Sequence, residues 1–224
     1  MLTTLPVSAP APAASSGAVL ELRRYTLKPG QRDTLITLFD REFVETQEAE
    51  GMAILGQFRD LDRPDRFVWL RSFPDISTRA AALTAFYTGP VWKAHAAAAN
   101  ATMIDVDDVL LLRPVHGFRL ARAGRPAVGT VHAPASAVLA TIHLRDEEFD
   151  DSFADTVPRA LACYRTEYAE NDFPALPVRT GVHAFVTFSR FDSVEALDAH
   201  ATPARPGVQV HRLRLSPTPR SLLR

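Results

Sequence analysis

The sequence has few of the residues that mark specialised classes of protein. It contains one cysteine, Cys163, so no disulfide can form within the chain, and no Cys and His residues stand at zinc-site spacing. No apolar run approaches the ~20 residues that a membrane-spanning helix needs. The 25 basic and 26 acidic residues give a net charge of −1. This balance argues against a nucleic-acid-binding or membrane-surface protein, both of which carry a basic patch.

The composition that remains is that of a globular protein, with 46% hydrophobic and 23% charged residues. Residues 1–17 are rich in Pro, Ala and Ser, and they lack the basic and continuous apolar regions of a signal peptide. We therefore expect a disordered tail at the N-terminus and a cytoplasmic protein. A small organic molecule is the expected partner, and association into a homo-oligomer is left open.

The domain organisation follows from a second irregular stretch in the middle of the chain. At about 150 residues per domain, the 224 residues predict roughly one and a half domains. A Pro-, Gly- and Ala-rich segment without helical or strand periodicity divides the chain into two units of similar length. The predicted division is a tail over 1–17, a first unit over 18–118, a linker over 119–136, a second unit over 137–215 and a tail over 216–224.

The two units resemble each other when the sequence is shifted by 118 residues, which places Ala137 on Val19. The strand-like segment Val19–Leu27 then falls on Ala137–Arg145, and Phe67–Phe73 falls on Phe185–Phe191. Apolar residues spaced four apart follow the first strand in both halves, a pattern typical of an amphipathic helix. Agreement of several segments in one ungapped register indicates a tandem duplication.

Each unit therefore predicts the order β-α-β-β-α-β, which is the split-βαβ or ferredoxin-like plan of an α+β protein. The second unit is degenerate. Its first helix, from about Glu147 to Glu170, contains Pro158, which should interrupt it. Its second strand is predicted at Asn171–Val178, where two prolines break it and favour a sheet edge.

The segment Leu20–Gly30, LELRRYTLKPG, resembles the opening of the NIPSNAP family, an E-x-R-x-Y strand followed by a Pro-Gly turn. The resemblance covers about 18–115 well and 137–215 weakly, and three more segments carry it: Phe67–Phe73, Ser77–Ala82 and Val91–His95. It implies the dimeric α/β-barrel fold, in which two ferredoxin-like units pack sheet to sheet. Here one chain would supply both sheets. The reaction of most bacterial relatives is unassigned.

Strand alternation gives the candidate site. On the first strand it separates Leu20 and Leu22 from Glu21, Arg23 and Tyr25. With the leucines against the helices, we expect the other three to face the space between the two sheets. Neighbouring strands add polar and aromatic side chains to that face. We predict ligand binding by Glu21, Arg23, Gln57, Arg59, Trp69 and Arg71, and catalytic roles for Tyr25, His143 and His183.

Two interpretations of this polar face stay open. Buried charges need partners, so the face could be a closed ion-pair network that fixes the register of the sheets in a non-enzymatic interaction module. It could instead line a pocket for a small organic molecule, in which Tyr25, His143 or His183 handles a proton. Relatives of this barrel act as cofactor-independent monooxygenases or isomerases. The sequence does not decide whether this protein is an enzyme.

A haem-binding or haem-degrading protein is the remaining alternative. Trp92 and His95 stand three residues apart and share one helix face. In haem-degrading monooxygenases with this barrel a helical His is the axial ligand, and His95 would hold that place here. The first strand carries Glu21 and Arg23 where those enzymes use an Asn. Otherwise we expect neither a cofactor nor a metal.

Overall fold

The first half of the chain folds as a full set of strands and helices. The protein is described by a computed structural model over residues 18–157 and 160–224. The elements of the first half are β1 (Val19–Leu27), α1 (Arg32–Leu38), a π-helical turn (Phe39–Phe43), α2 (Val44–Ala49), β2 (Ala53–Asp60), β3 (Arg66–Phe73), α3 (Ile76–Thr88), α4 (Pro90–Thr102), β4 (Met103–Asp105) and β5 (Val109–His116).

The second half consists mainly of strands, and its described helices are short. A 3₁₀ turn (Arg122–Gly124) lies between the halves, followed by β6 (Ala137–Arg145), a 3₁₀ helix (Asp151–Thr156), β7 (Ala162–Thr166), β8 (His183–Phe191), α5 (Val194–Asp198) and β9 (Gln209–Pro217). Local sequence explains where helices begin. The Asp75 side chain accepts a hydrogen bond from the Thr78 amide at the start of α3, and Pro90 occupies the first turn of α4.

Eight antiparallel strands close into a barrel in the order β1-β3-β2-β9-β6-β8-β7-β5, with β5 returning to β1 and β4 added beside β1. The strands of the first half run β2-β3-β1-β5 and those of the second half run β7-β8-β6-β9, so the two halves have the same strand order. β6 begins 118 residues after β1. The duplication itself stays a prediction.

The barrel interior is apolar and comes from both halves. Leu20 and Leu22 of β1 pack there with Val138 and Ile142 of β6 and with Phe58 of β2. The sequence-based expectation that these leucines face the helices is therefore wrong, and the facing of the neighbouring charged residues is reversed with it. The interior of an eight-stranded barrel is only wide enough for side chains to fill it. The apolar set fills it, and the charged set lies outside, where helices supply partners.

The second half differs from its predicted elements. In place of a helix over 147–170 the chain forms the short 3₁₀ helix and then β7, and 171–178 is a loop rather than a strand. Pro158 lies outside the described residues, as do residues 1–17.

The predicted C-terminal tail, 216–224, is also wrong, because most of this segment is buried. β9 continues to Pro217, and the Leu223 amide donates a hydrogen bond to the Leu55 carbonyl. Leu223 itself is 1% exposed and packs in the barrel interior. The C-terminus therefore belongs to the folded core.

The structure also bears on membrane-spanning helices, metal ligands and the single cysteine. Across 18–157 and 160–224 no helix has the length and apolar character needed to cross a bilayer. Within the same ranges no three His, Cys, Asp or Glu side chains group as metal ligands. Cys163 is buried on β7, and burial raises the pKa of its thiol to about 11. It is therefore protonated at neutral pH and a poor nucleophile.

Candidate functional site

One carboxylate shared by three arginines lies between the sheet and the helices of the first half. Arg23 Nη1 donates to Glu21 Oε2 at 2.7 Å, Arg71 Nη2 donates to the same oxygen at 2.6 Å, and Arg79 Nε donates to Oε1 at 2.8 Å. All four side chains have no exposed surface. The strand register produces the contact, because β1 and β3 place Glu21 directly opposite Arg71.

Side chains from a helix and a loop extend this cluster. Arg71 Nη1 donates to Gln47 Oε1 at 2.9 Å, which ties the sheet to α2. Arg79 Nη1 donates to Asn171 Oδ1 at 2.9 Å and forms an ion pair with Asp172. The loop that contains these two residues belongs to the second half, so the cluster also joins the halves.

The cluster carries an excess of positive charge. Three guanidinium groups face two carboxylates, Glu21 and Asp172. Burial by itself would raise the pKa of Glu21, but the charges of Arg71, Arg23 and Arg79 outweigh burial and hold that pKa far below its usual range. Glu21 is thus ionised at neutral pH, and the cluster keeps a net charge of one positive unit.

An aromatic pocket of about 100 Å³ lies beside the cluster. The lining includes Tyr25 and Trp69 from the sheet, Phe39, Phe43, Phe86, Tyr87 and Trp92 from the helices, and Leu176 from the second-half loop. The π-helical turn supplies Phe39, whose ring centroid is 4.8 Å from that of Trp69. Such turns are frequent at functional sites.

Three buried donors have no hydrogen-bond partner among the described residues: Trp69 Nε1, on a side chain that lines the pocket, and Arg23 Nη2 and Arg79 Nη2 in the cluster. The guanidinium carbon of Arg23 is 5.5 Å from the ring centroids of both Tyr25 and Trp69. Arg23 Nε donates to the Tyr25 hydroxyl at 3.1 Å. Burial raises the pKa of Tyr25, so its phenol keeps its proton and acts as a donor rather than a base.

Sequence reasoning missed Arg79 although the sequence contained a signal for it. On α3, Arg79 shares the buried face with Ala82, Leu83 and Phe86, at helical spacing. A charged residue on an otherwise apolar helix face needs a buried partner, and Glu21 is that partner. Gln47 and Asp172 had no comparable signal.

Gln57 and Arg59 lie on the same side of the sheet but away from the pocket lining. Gln57 Nε2 donates to Asp40 Oδ1 at 3.1 Å. Arg59 Nε donates to Asp33 Oδ1 at 2.8 Å, with both side chains partly exposed. Both residues connect β2 to the first helical segment and do not contact Glu21.

The three predicted catalytic residues do not form one site, which corrects the prediction of a shared face. Tyr25 lines the pocket of the first half, whereas His143 and His183 lie on the outer face of the second half. His143 Nδ1 is 3.1 Å from the Phe185 carbonyl oxygen, and His183 Nδ1 is 2.7 Å from the Tyr168 hydroxyl. The strands that carry them meet across the closed barrel, whose apolar interior separates the two faces.

Asp40, in the π-helical turn, gives the first testable prediction. Burial raises the pKa of Asp40 to about 6, although the charge of Arg220 opposes the shift. A pKa above its unfolded value means that the folded state binds this proton more tightly, so ionised Asp40 destabilises the fold above pH 6 and ceases to do so as the pH falls towards 4. We expect Asp40→Asn to raise the free energy of unfolding at pH 7 by about 2 kcal/mol.

Urea denaturation at pH 7.5 and at pH 4 measures this effect. The gain should vanish at the lower pH, where the carboxyl group is protonated, and Gln57 keeps an acceptor in either variant. Asp146→Asn, at an exposed position, is the control and should change neither value. A gain that is equal at both pH values would show that the charge of Asp40 is not its cause.

The arrangement around His95 does not fit haem. His95 Nε2 faces Glu42 Oε2 at 3.6 Å on the partly exposed surface of α4, and it does not line the aromatic pocket. That pocket has about 100 Å³. Sites for drug-sized ligands have roughly 300–1,000 Å³. Where haem-degrading enzymes use an Asn, the first strand has Glu21, whose carboxylate oxygens already accept hydrogen bonds from three arginines.

The closed antiparallel barrel with helices packed on one side defines the class of this protein as a ferredoxin-type fold of the kind found in monooxygenase-like proteins. Residues 20–117 match the NIPSNAP family model. The first half of the chain is therefore a NIPSNAP-family domain, and Glu21, Arg23 and Tyr25 lie in its opening strand.

Two solved structures show the same fold over nearly the whole chain. A protein from Fusobacterium nucleatum subsp. nucleatum ATCC 25586, described as a candidate monooxygenase, has 9% sequence identity and a TM-score of 0.60, covering 91% of this chain and 94% of its own. A candidate monooxygenase from Lactobacillus acidophilus NCFM has 14% identity and a TM-score of 0.53, covering 90% and 94%. A comparison with curated proteins gave no match. At these identities the likeness is one of fold.

Proposed function

We propose that the NIPSNAP half binds a small organic anion in the aromatic pocket, with its charged oxygen beside Arg23 and Trp69. One observation carries the proposal: these residues hold buried N–H donors without a partner among the described residues. A buried donor left unpaired costs about 1–3 kcal/mol, and more when it is charged. A carboxylate, phenolate or enolate oxygen would satisfy such donors.

The charge of the site supports an anion over a neutral ligand. The surrounding cluster has one more guanidinium than carboxylate, and none of its three arginines reaches solvent. Uncompensated buried charge is strongly unfavourable. A ligand that brings one negative charge would neutralise the cluster, which a neutral molecule of the same shape would not.

The pocket limits the ligand to at most one ring. Its 100 Å³ is less than the ~150 Å³ of a cavity that accommodates benzene, so a one-ring ligand fits only when lining side chains move apart. Its walls are aromatic rings arranged largely edge to face, such as Tyr87 and Trp92 at 4.8 Å between centroids. The ligand therefore lies between sheet and helices, not between the two sheets where sequence reasoning placed it.

The reaction that we propose starts from the bound anion. A carbanion or enolate held beside a guanidinium can react with oxygen without a cofactor, or take a proton at a different carbon, which would be an isomerisation. The description of two structures of the same fold as candidate monooxygenases supports the first course. Oxygen uptake with 1,3-cyclohexanedione, an enolisable single-ring compound, would distinguish a monooxygenase from a protein that only binds.

Intrinsic fluorescence tests the binding step directly. The protein has two tryptophans, Trp69 and Trp92, and both line the pocket. We expect benzoate to change their emission with saturation, and benzyl alcohol, which lacks the charge, to bind about tenfold more weakly or worse. Arg23→Gln should weaken benzoate binding by about tenfold or more. Glu21 keeps Arg71 and Arg79 in that variant, so the fold should persist.

Arg59→Gln is the matched control, because Arg59 lies on the same side of the sheet but pairs with Asp33, whereas Arg23 lies against the rings of Tyr25 and Trp69. It should bind benzoate like the unaltered protein. Equal emission changes with benzoate and benzyl alcohol, or an Arg23→Gln protein that binds benzoate normally, would contradict the proposal. The cluster would then be the structural network of a non-enzymatic module.

A further inference from the structure

The second half of the barrel has a pocket of its own on its outer face. In the first half α1 to α4 cover this face, whereas among the described residues of the second half the 3₁₀ helix Asp151–Thr156 and the five residues of α5 are the only helices that do so. A pocket of about 620 Å³ remains over β6 and β8. This volume lies within the roughly 300–1,000 Å³ that small-molecule sites occupy.

His143 forms part of the floor of this pocket, and its tautomer is fixed by the backbone. Its Nδ1 is 3.1 Å from the Phe185 carbonyl oxygen, which can only accept, so Nδ1 carries the proton. Burial lowers the pKa of His143, and the ring is neutral at pH 7. Nε2 therefore has a free lone pair, and the only hydrogen bond of the ring to residues 18–157 and 160–224 is the one at Nδ1.

Hydroxyl groups line the same pocket. Thr141 stands directly opposite Thr187 in the pairing of β6 with β8, and Ser189 lies two residues further along β8. All three line the pocket. The positions that correspond in the first half by the shift of 118 residues are Arg23, Trp69 and Arg71, so the two faces have different chemistry.

The rest of the lining offers apolar contacts and one nearby cation. Leu139, Val157 and Phe191 contribute apolar surface. The Arg205 guanidinium lies at the rim, 5.2 Å from the Phe153 ring centroid, and its charge acts on His143. A flat apolar ring thus has walls to contact, and an oxygen that loses its proton to Nε2 has a cation close by.

We propose that this pocket is a second ligand site, for a hydroxyaromatic molecule whose O–H donates a hydrogen bond to His143 Nε2. The site is independent of the anion pocket in the NIPSNAP half, because the two share no residue. The neutral acceptor on its floor selects for a donor, whereas the unpaired donors of the first pocket select for an acceptor.

4-Nitrophenol is a suitable probe, because its absorption reports both binding and the state of its proton. We expect it to bind with saturation, and 4-nitroanisole, which has a methyl group in place of that proton, to bind roughly tenfold more weakly or worse. His143→Phe keeps a ring but has no acceptor, so it should lower the affinity for 4-nitrophenol by a similar factor and remove the preference over 4-nitroanisole.

Three further variants test whether 4-nitrophenol binds in this pocket and not elsewhere. Ser189→Trp fills the pocket without touching the core and should abolish binding with an unchanged unfolding midpoint, which guards against a His143 variant that fails to fold. Because 4-nitrophenol is partly ionised at neutral pH and its phenolate suits the first pocket, every titration is made in the Arg23→Gln protein, in which that pocket is altered. His183→Gln, made in the same background, alters a histidine on the same face that does not line the second pocket, and it should leave 4-nitrophenol binding unchanged. Equal affinity for the two probes, or normal binding by Ser189→Trp, would overturn the proposal.

Discussion

Glu21→Gln is expected to lower the free energy of unfolding by about 3–5 kcal/mol, the usual cost of removing one partner from a buried ion pair. The amide offers one acceptor oxygen where the carboxylate accepted from three guanidinium groups, and it brings two donors towards them. The cations of Arg23, Arg71 and Arg79 would remain buried. A typical domain has only about 5–15 kcal/mol of net stability, so the variant should be marginal.

Urea denaturation followed by circular dichroism measures the loss, and Glu147→Gln, at an exposed position, is the control. Adding Arg79→Met to Glu21→Gln should recover part of the stability, because one uncompensated cation is removed; a coupling energy of about 1–3 kcal/mol is expected. If Glu21→Gln lost less than about 1 kcal/mol, or if the double variant were simply additive, the buried cluster would not be held together as the structure describes.

The opening strand shows what the sequence could and could not decide about the fold. Its period of two separates Leu20 and Leu22 from Glu21 and Arg23, and the structure keeps these two sets apart. The pattern does not tell which set faces the barrel interior, because both faces of β1 are buried. Closure of the barrel and the presence of Arg79 on α3 decide it. Both depend on contacts that are distant in sequence.

The second half shows how a strong local feature can mislead. The apolar spacing after β6 suggested one long helix with a kink. In the structure, strand β7 (Ala162–Thr166) occupies part of that range, because its pairing with β5 and β8 closes the barrel. Neighbouring strands therefore override the helical periodicity, whose stabilising effect depends on a face to pack against.

The candidate site was predictable to the extent that it lies on one strand. Glu21, Arg23 and Tyr25 alternate within a recognisable motif. Gln47 and Asp172 reach the cluster from α2 and from a loop more than one hundred residues further on, and no local pattern marks them. The division into two chemically different pockets was also not predictable, since it depends on how many helices cover the outer face of each half.

Phe58→Ala is the second change expected to have a large effect, a loss of about 3–5 kcal/mol in the free energy of unfolding. Phe58 has no exposed surface and lies in the barrel interior, in the same cluster as Val138 and Leu215 of the second half. Its strand also pairs with β9. Removing the ring leaves a cavity on which both halves border. Leu61→Ala, just beyond the strand at a position 38% exposed, should change stability by less than about 0.5 kcal/mol.

Two probes followed in one urea titration show whether the Phe58→Ala substitution destabilises both halves. Trp69 and Trp92 report the first half by fluorescence, and Cys163, buried on β7, reports the second half by its reactivity towards a thiol reagent. Because the interior is shared, both midpoints should move together to the same lower urea concentration in Phe58→Ala. Separate midpoints would mean that each half has its own core. The helix-covered face, with its loop contact between Arg79 and Asp172, would then be what joins them.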